Sequence, residues 1–306
     1  MEFFRKKTSF DFVGRRRYAY ALSGALCALG VVAFILIATG RGNLGIEFAG
    51  GTAIQLRFER PVGIGAARSV AEQAGFRGAE LQQISEGNRL LIRVKRTDLP
   101  PAEISKALLE GFRRQFPDNR FEVESTTEIG PAVGEKLRRD AAIAILLSFV
   151  GIIIYIAARF QFKFGVAATI ATFHDVLVVL GILFILNKEI TLLIVTALLT
   201  LAGYSLTDTV VVFDRIRENQ RLNPRGLLAT LINLSVNETL SRTLITGLSA
   251  IFTILALLFL GGEVIRDFAL ALFLGVIVGT YSSIFVASPV VLAWPGGKGR
   301  AAGRRA

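Results

Sequence analysis

Cysteine, histidine, tryptophan and methionine occur once each in 306 residues. The single cysteine, Cys27, excludes an intramolecular disulfide, and no Cys/His grouping offers a zinc site. It sits in an apolar run and reads as a small packing residue. Acidic charge is scarce as well: 24 Asp and Glu stand against 35 Lys and Arg, a formal net charge of +11. In a soluble chain that excess would point to nucleic acid. This chain is 52% hydrophobic with a mean hydropathy of +0.55, above what soluble proteins of this size reach. Much of the excess lies near the two ends, where the retention of basic segments in the cytoplasm accounts for it. Nucleic acid is therefore not an expected partner. No small-residue cleavage site follows the first apolar run, and that run is too long for a signal-peptide core. It reads as a retained span.

Long polar stretches are scarce too, and residues 40–139 form the single one. The rest divides into six apolar runs long enough to cross a bilayer: residues 18–39, 141–158, 164–186, 190–213, 240–260 and 268–292. Basic residues mark the cytoplasmic side: Arg5, Lys6, Lys7, Arg15, Arg16 and Arg17 in segment 1–17; Arg159 and Lys163 in a tight turn; Arg215, Arg217, Arg221 and Arg225 in loop 214–239; and Lys298, Arg300, Arg304 and Arg305 in tail 293–306. Both termini are expected inside. Leu227, Leu228, Leu231 and Leu234 suggest a helix lying on the membrane surface. Gly24 and Ala28 offer a small packing face on the first span, and Gly275, Gly279 and Ser283 one on the last. Trp294 stands where an interface anchor would.

The polar stretch opens with NLGIEFAGGT, residues 43–52, whose glycines mark a turn and a close backbone approach. Alternation over 53–59 predicts a strand. Helical spacing follows over 64–74, ending at Gly75. Residues 81–85 and 89–94 read as strands around the turn Glu86-Gly87-Asn88. Pro100 and Pro101 open a helix to about Phe116, and residues 121–127 form a last strand. The order strand-helix-strand-strand-helix-strand is a split βαβ, or ferredoxin-like, pattern. The fold class expected is a six-span helical membrane protein with an α+β domain outside, between spans one and two.

Three polar features sit at depth: His174 with Asp175, Asp208, and Arg242. A carboxylate at the centre of a span costs about 2.5–3.5 kcal/mol on insertion scales, so such a residue faces a partner or a proton. His174 and Asp175 lie about 16 Å from either end of their run, and Asp208 about 9 Å inside the end of its own. Arg242 begins the next run from the same face, so the spacing predicts an Asp208–Arg242 pair that makes and breaks with protonation. The plainer alternative is a static pair that fixes packing. Ser205 and His174 raise the further possibility of a serine-protease dyad, against which GYSL is no activated-serine turn. No metal site or cofactor is expected, and no enzyme activity.

Read together, NLGIEFAGGT, IGP at 129–131, HDV at 174–176, GYSLTDTVVVFDRIREN at 203–219, NETLSRTLITG at 237–247 and RDFALALFLGVIVGTYSSIFVASP at 266–289 resemble the SecF branch of the SecD/SecF family. The resemblance implies a six-span half of a resistance-nodulation-division type bundle in the bacterial inner membrane. It implies SecD as the other half, association with the SecYEG channel, and use of the proton-motive force to move an unfolded preprotein into the periplasm. By motif, Asp208 and Arg242 match the family's coupling pair, with Asp175, His174 and Ser205 along a possible proton path. Gly45, Glu47, Gly50 and Gly51 match its periplasmic entry motif. Glu47 stands where the family usually has Asp, and Leu206-Thr207 precede Asp208 where a more polar residue is usual. A half-exporter of small molecules or lipids on the same scaffold is the alternative function.

Overall fold

The computed structural model describes residues 9–294 except 85, 86, 96 and 98. Arg5, Lys6 and Lys7, the hairpin residue Glu86, and the tail residues Lys298, Arg300, Arg304 and Arg305 lie outside the described residues. The chain forms two compact units, one built from 43–144 with 189–192, the other from the remaining described residues.

In the first unit a single-turn helix α2 (Ile46–Ala49) leads into strand β1 (Gly51–Phe58). Helix α3 (Ile64–Gln73), strands β2 (Glu80–Ile84) and β3 (Arg89–Lys95), helix α4 (Pro101–Gln115) and strand β4 (Phe121–Ile129) follow. The sheet order is β2-β3-β1-β4, antiparallel throughout. Alternate residues of β1 point to opposite faces. Ile54, Leu56 and Phe58 face the helices and are buried with Leu90, Ile92 and Val94 of β3. From α3 come Ala67, Val70 and Ala71, and from α4 Ile104, Leu108 and Phe112. Phe58 lies among Phe112, Phe116 and Phe121, with ring centroids 5.9, 6.2 and 5.2 Å away. Each such side chain contributes about 1.5–3 kcal/mol when fully buried. The opposite face is polar. Arg57 pairs with Glu122 at 2.6 Å, and Arg89 with Glu124 at 2.7 Å, beside a register shift in the β1–β4 pairing.

The second unit is helical. It holds α1 (Arg16–Ala38), the end of α5 (Pro131–Arg159), α6 (Phe162–Ile185), nearly all of α7 (Leu192–Leu222), α8 (Leu228–Leu260), α9 (Gly262–Ser282) and α10 (Ser288–Ala293). A π turn, Ser283–Ala287, joins the last two. Six helices among the described residues are long and apolar enough to cross a membrane, α9 to α10 counting as one. The protein is a polytopic helical membrane protein.

Four expectations are corrected here. Loop 214–239 carries no separate surface helix, because α7 runs on to Leu222 and α8 starts at Leu228. Leu228 packs against the core that holds Val212, Phe213 and Ile216 of α7, and Leu231 is buried, whereas Leu227 and Leu234 are exposed. Span four does not begin at Ile190: that residue pairs with the 43–45 segment (Gly45 N–H to Ile190 O, 3.0 Å; Ile190 N–H to Asn43 O, 2.7 Å). On α1, Gly24 and Ala28 are exposed, and Gly30 makes the close approach instead. A Cβ there would strike the Leu177 carbonyl of α6. Last, span six is not one regular helix. Pro289 has no N–H to complete an α ladder, and the wide turn precedes it.

Candidate functional site

Helices α6 and α7 each place one carboxyl group inside the bundle. Asp175 is fully buried and Asp208 nearly so. On α7, Ser205 and Asp208 are three residues apart and so share a face. Gly279 of α9 lets the two helices close on this face, since a Cβ there would lie 3.2 Å from Ser205 Cβ. Gly275, one turn away, sits closer still on the Leu201 side chain, where a Cβ would come within 2.7 Å of a methyl.

The partners of both carboxyls are mostly hydroxyls. One oxygen of Asp175 accepts from Ser205 and from Ser282, the latter at 2.7 Å. Its other oxygen lies 2.8 Å from His174 Nδ1. Asp208 accepts from Thr243 of α8 at 3.1 Å and from Ser283 at 3.2 Å. A hydroxyl donates to a carboxylate and accepts from a protonated carboxyl with little movement. Such a cage serves either charge state, which a fixed cation would not.

The expected Asp208–Arg242 pair is absent among the described residues. Arg242 is exposed, and its neighbour Thr243 points inward instead. Adjacent helical residues diverge by about 100°, so one of them alone faces Asp208. The protease dyad is not formed either: Ser205 and His174 both bond to Asp175 and not to each other. His174 Nε2 is buried without a partner, and its ring stacks on Tyr281 at 6.4 Å. Tyr281 in turn bonds Ser23 and the Ala19 carbonyl of α1, each at 3.1 Å. His174 opens on a groove of about 500 Å³ lined by Ser23, Cys27, Thr169 and Phe173. Among the described residues no cluster of His, Cys, Asp and Glu is suited to hold a metal.

Sequence reasoning missed Thr243 and Ser282, and took Ser283 for a packing residue. A serine in a small-residue repeat reads as small, and nothing in the spacing announces that it donates.

The glycine motif belongs to the first unit. Gly45 N–H reaches Ile190, and Gly50 and Gly51 have φ of 75° and 145°. A Cβ on Gly51 would strike the Val94 carbonyl of β3, so glycine is required where β1 begins. Glu47 keeps one buried oxygen without a partner. Nearby, Glu189 is buried, 3.4 Å from Arg93. Burial pushes its carboxyl up to about 8, and the hydrogen-bonded Glu80 adds to the shift.

Residues 111–296 match the family described as protein export membrane protein SecD/SecF, C-terminal, and residues 43–62 match the SecD/SecF GG motif. The chain belongs to the SecD/SecF family. Its GG motif is the Gly50-Gly51 entry to β1, and its C-terminal region holds both carboxyl cages. The protein translocase subunit SecF of Thermodesulfovibrio yellowstonii is 51% identical over 289 residues, covering 94% of this chain and 95% of that one. The protein translocase subunit SecDF of Thermus thermophilus is 44% identical over 287 residues, but this chain spans only 38% of its length. A crystal structure of the Thermus SecDF, titled a translocon-associated membrane protein, superimposes with a TM-score of 0.81 at 42% identity, covering 94% of this chain and 39% of that one. A SecD/SecF family member of this length thus corresponds to one part of the SecDF fusion.

Proposed function

We propose that this chain works with a SecD partner as one half of a proton-driven unit that promotes preprotein export through the SecYEG channel. The observation that carries the coupling step is the pair of buried carboxyls on α6 and α7, whose cages hold hydroxyls and one imidazole but no fixed cation. The driving term is adequate, since one charge crossing the membrane is worth about 2.3 kcal/mol per 100 mV. In this reading Asp208 takes the proton and Arg242 approaches it in a state other than the one described here. Asp175, Ser205 and His174 extend the path. The fusion of matching regions in the Thermus SecDF supports SecD as the partner.

The outer unit is proposed to be a ferredoxin-like domain in the periplasm that handles the emerging, unfolded chain. Its strand order and two crossover helices support the fold. The membrane is proposed to be the bacterial inner membrane, with both termini in the cytoplasm, as the basic residues near the short loops favour. The spans then carry 18–39 and 140–292, and the domain 40–139.

The test is Asp208→Asn, co-expressed with the SecD partner, with proton-gradient-dependent export into membrane vesicles as the readout. Immunoblotting of the assembled pair is the control. Loss of gradient stimulation with the pair intact supports the coupling role. Persistence of stimulation makes Asp208 structural and overturns it.

A further inference from the structure

The two carboxyls sit on different helices, yet each is held from the same place. Ser282 donates to Asp175 at 2.7 Å and Ser283 to Asp208 at 3.2 Å. These consecutive serines are both fully buried and stand at the junction where α9 gives way to the π turn. In an α-helix adjacent side chains diverge by about 100°, so two neighbours can serve two flanking helices only if the helix lies between them in a fixed rotation. Several contacts set that rotation. Gly279 seats α9 on Ser205, and the Ser288 hydroxyl donates to the Ser283 carbonyl at 2.9 Å, across five residues. Pro289 follows and has no N–H to offer the carbonyl one turn before it. π turns are single-turn insertions in α-helices and recur at functional sites.

We propose that Ser282 and Ser283 are positioning residues, and that the π turn fixes both of them at once, so that a change at one carboxyl is felt at the other. This rests on the proton-coupled reading above and adds a connection between its two carboxyls. When one carboxyl changes charge, its serine re-orients and pulls on a backbone turn that also carries the other serine. The turn has two ladder patterns open to it, π and α, which differ by one residue of register. Other titratable groups in electrostatic reach of one or other carboxyl are His174 on α6, Tyr204 on α7, Cys27 on α1 and Arg242 on α8, and Tyr281 on α9 stacks on the His174 ring. None of them touches both carboxyls.

The experiment is infrared titration of the carboxyl stretch in the full chain reconstituted with its SecD partner. Bands are assigned by their loss in Asp175→Asn and Asp208→Asn. Ser282→Ala, Ser283→Ala and Ser288→Ala are then compared, with pair assembly and helix content as controls. Ser283→Ala is expected to shift the Asp208 midpoint by about one pH unit, the scale of one hydrogen bond to a charged group, and to shift the Asp175 midpoint as well. Ser288→Ala touches neither carboxyl but releases the Ser283 carbonyl, and it is expected to move the Asp208 midpoint too. If each serine variant moves only the band of its own carboxyl, or if Ser288→Ala moves none, the shared-turn proposal is wrong while the coupling reading stands. If no band disappears in either Asp→Asn variant, the coupling reading itself fails.

Discussion

Carboxylates in the α+β unit and carboxyls in the helical bundle are held in opposite ways. In the α+β unit, Glu122, Glu124 and Glu80 meet Arg57, Arg89 and Lys95 at 2.6, 2.7 and 3.0 Å. The Arg89 hydrogen bond keeps Glu124 below the usual carboxylate range. Inside, Asp175 and Asp208 meet serine and threonine hydroxyls and one imidazole. A guanidinium locks its partner in one charge state, whereas a hydroxyl turns to suit either. The pairs of the α+β unit therefore keep their carboxylates charged, and the cages of the bundle suit groups that exchange a proton.

That contrast can be broken at several points. The largest expected effect is at Asp175→Asn. It is predicted to reduce gradient-dependent export by about tenfold or more, as the loss of a multiply bonded buried group would, with the SecD pair still assembled on an immunoblot. Full export by this variant would leave Asp208 as the sole coupling carboxyl. Next, Phe112→Ala empties the centre of the α+β unit's core and should cost that unit about 3–5 kcal/mol, read from urea unfolding in detergent. The carboxyl bands of the bundle should not move.

Glu189 gives a smaller effect with a definite sign. Its folded-state value of about 8 lies above the ordinary 4.5, so between those values the folded chain holds a proton that the unfolded chain has lost. Stability from this site is present below about pH 4.5 and is lost as pH rises through about 8. Melting temperatures measured from pH 5 to 9 should fall across that window in the wild type, and fall less in Glu189→Gln. Equal slopes would show that the buried carboxyl is not the source. The smallest effect is at Arg57→Ala. Exposed ion pairs contribute little, so its melting curve should nearly overlay the wild type. A large loss there would undo the comparison, since these exposed pairs would then be doing what a core does.

The parts of this molecule that were legible in the sequence are those written in one dimension. An apolar run of about twenty residues has few alternatives to a span, and the alternation over 53–59 falls on β1 in all but its last residue. An Asp in the run before Phe213 announces itself by cost alone. Less legible were features set by rotation about a helix axis. Arg242 and Thr243 are equally polar neighbours, and packing decides which one turns inward. Gly24 and Gly30 both read as small, yet only Gly30 faces α6. The leucines of 227–234 have the spacing of a surface helix and of a packed one alike, because both bury one stripe. The π turn is hidden because a serine pair and a proline six residues after it also occur in ordinary helix ends.

Near the start of the chain a short strap is held by two asparagines of α8. Asn237 bonds both the N–H and the carbonyl of Phe10, and Asn233 accepts from the N–H groups of Phe12 and Val13. These partners stand 227, 221 and 220 positions apart along the chain. At about 5–20 residues per second of synthesis, the strap waits roughly ten to forty seconds for its seat to be made. Throughout that time the core that Val13 joins lacks its α8 and C-terminal members, Ile232, Val236, Ile284 and Val291 among them. Seating the strap is thus among the last events in the birth of the bundle. A chain that stalls before α8 leaves the ribosome with its first segment still unfastened.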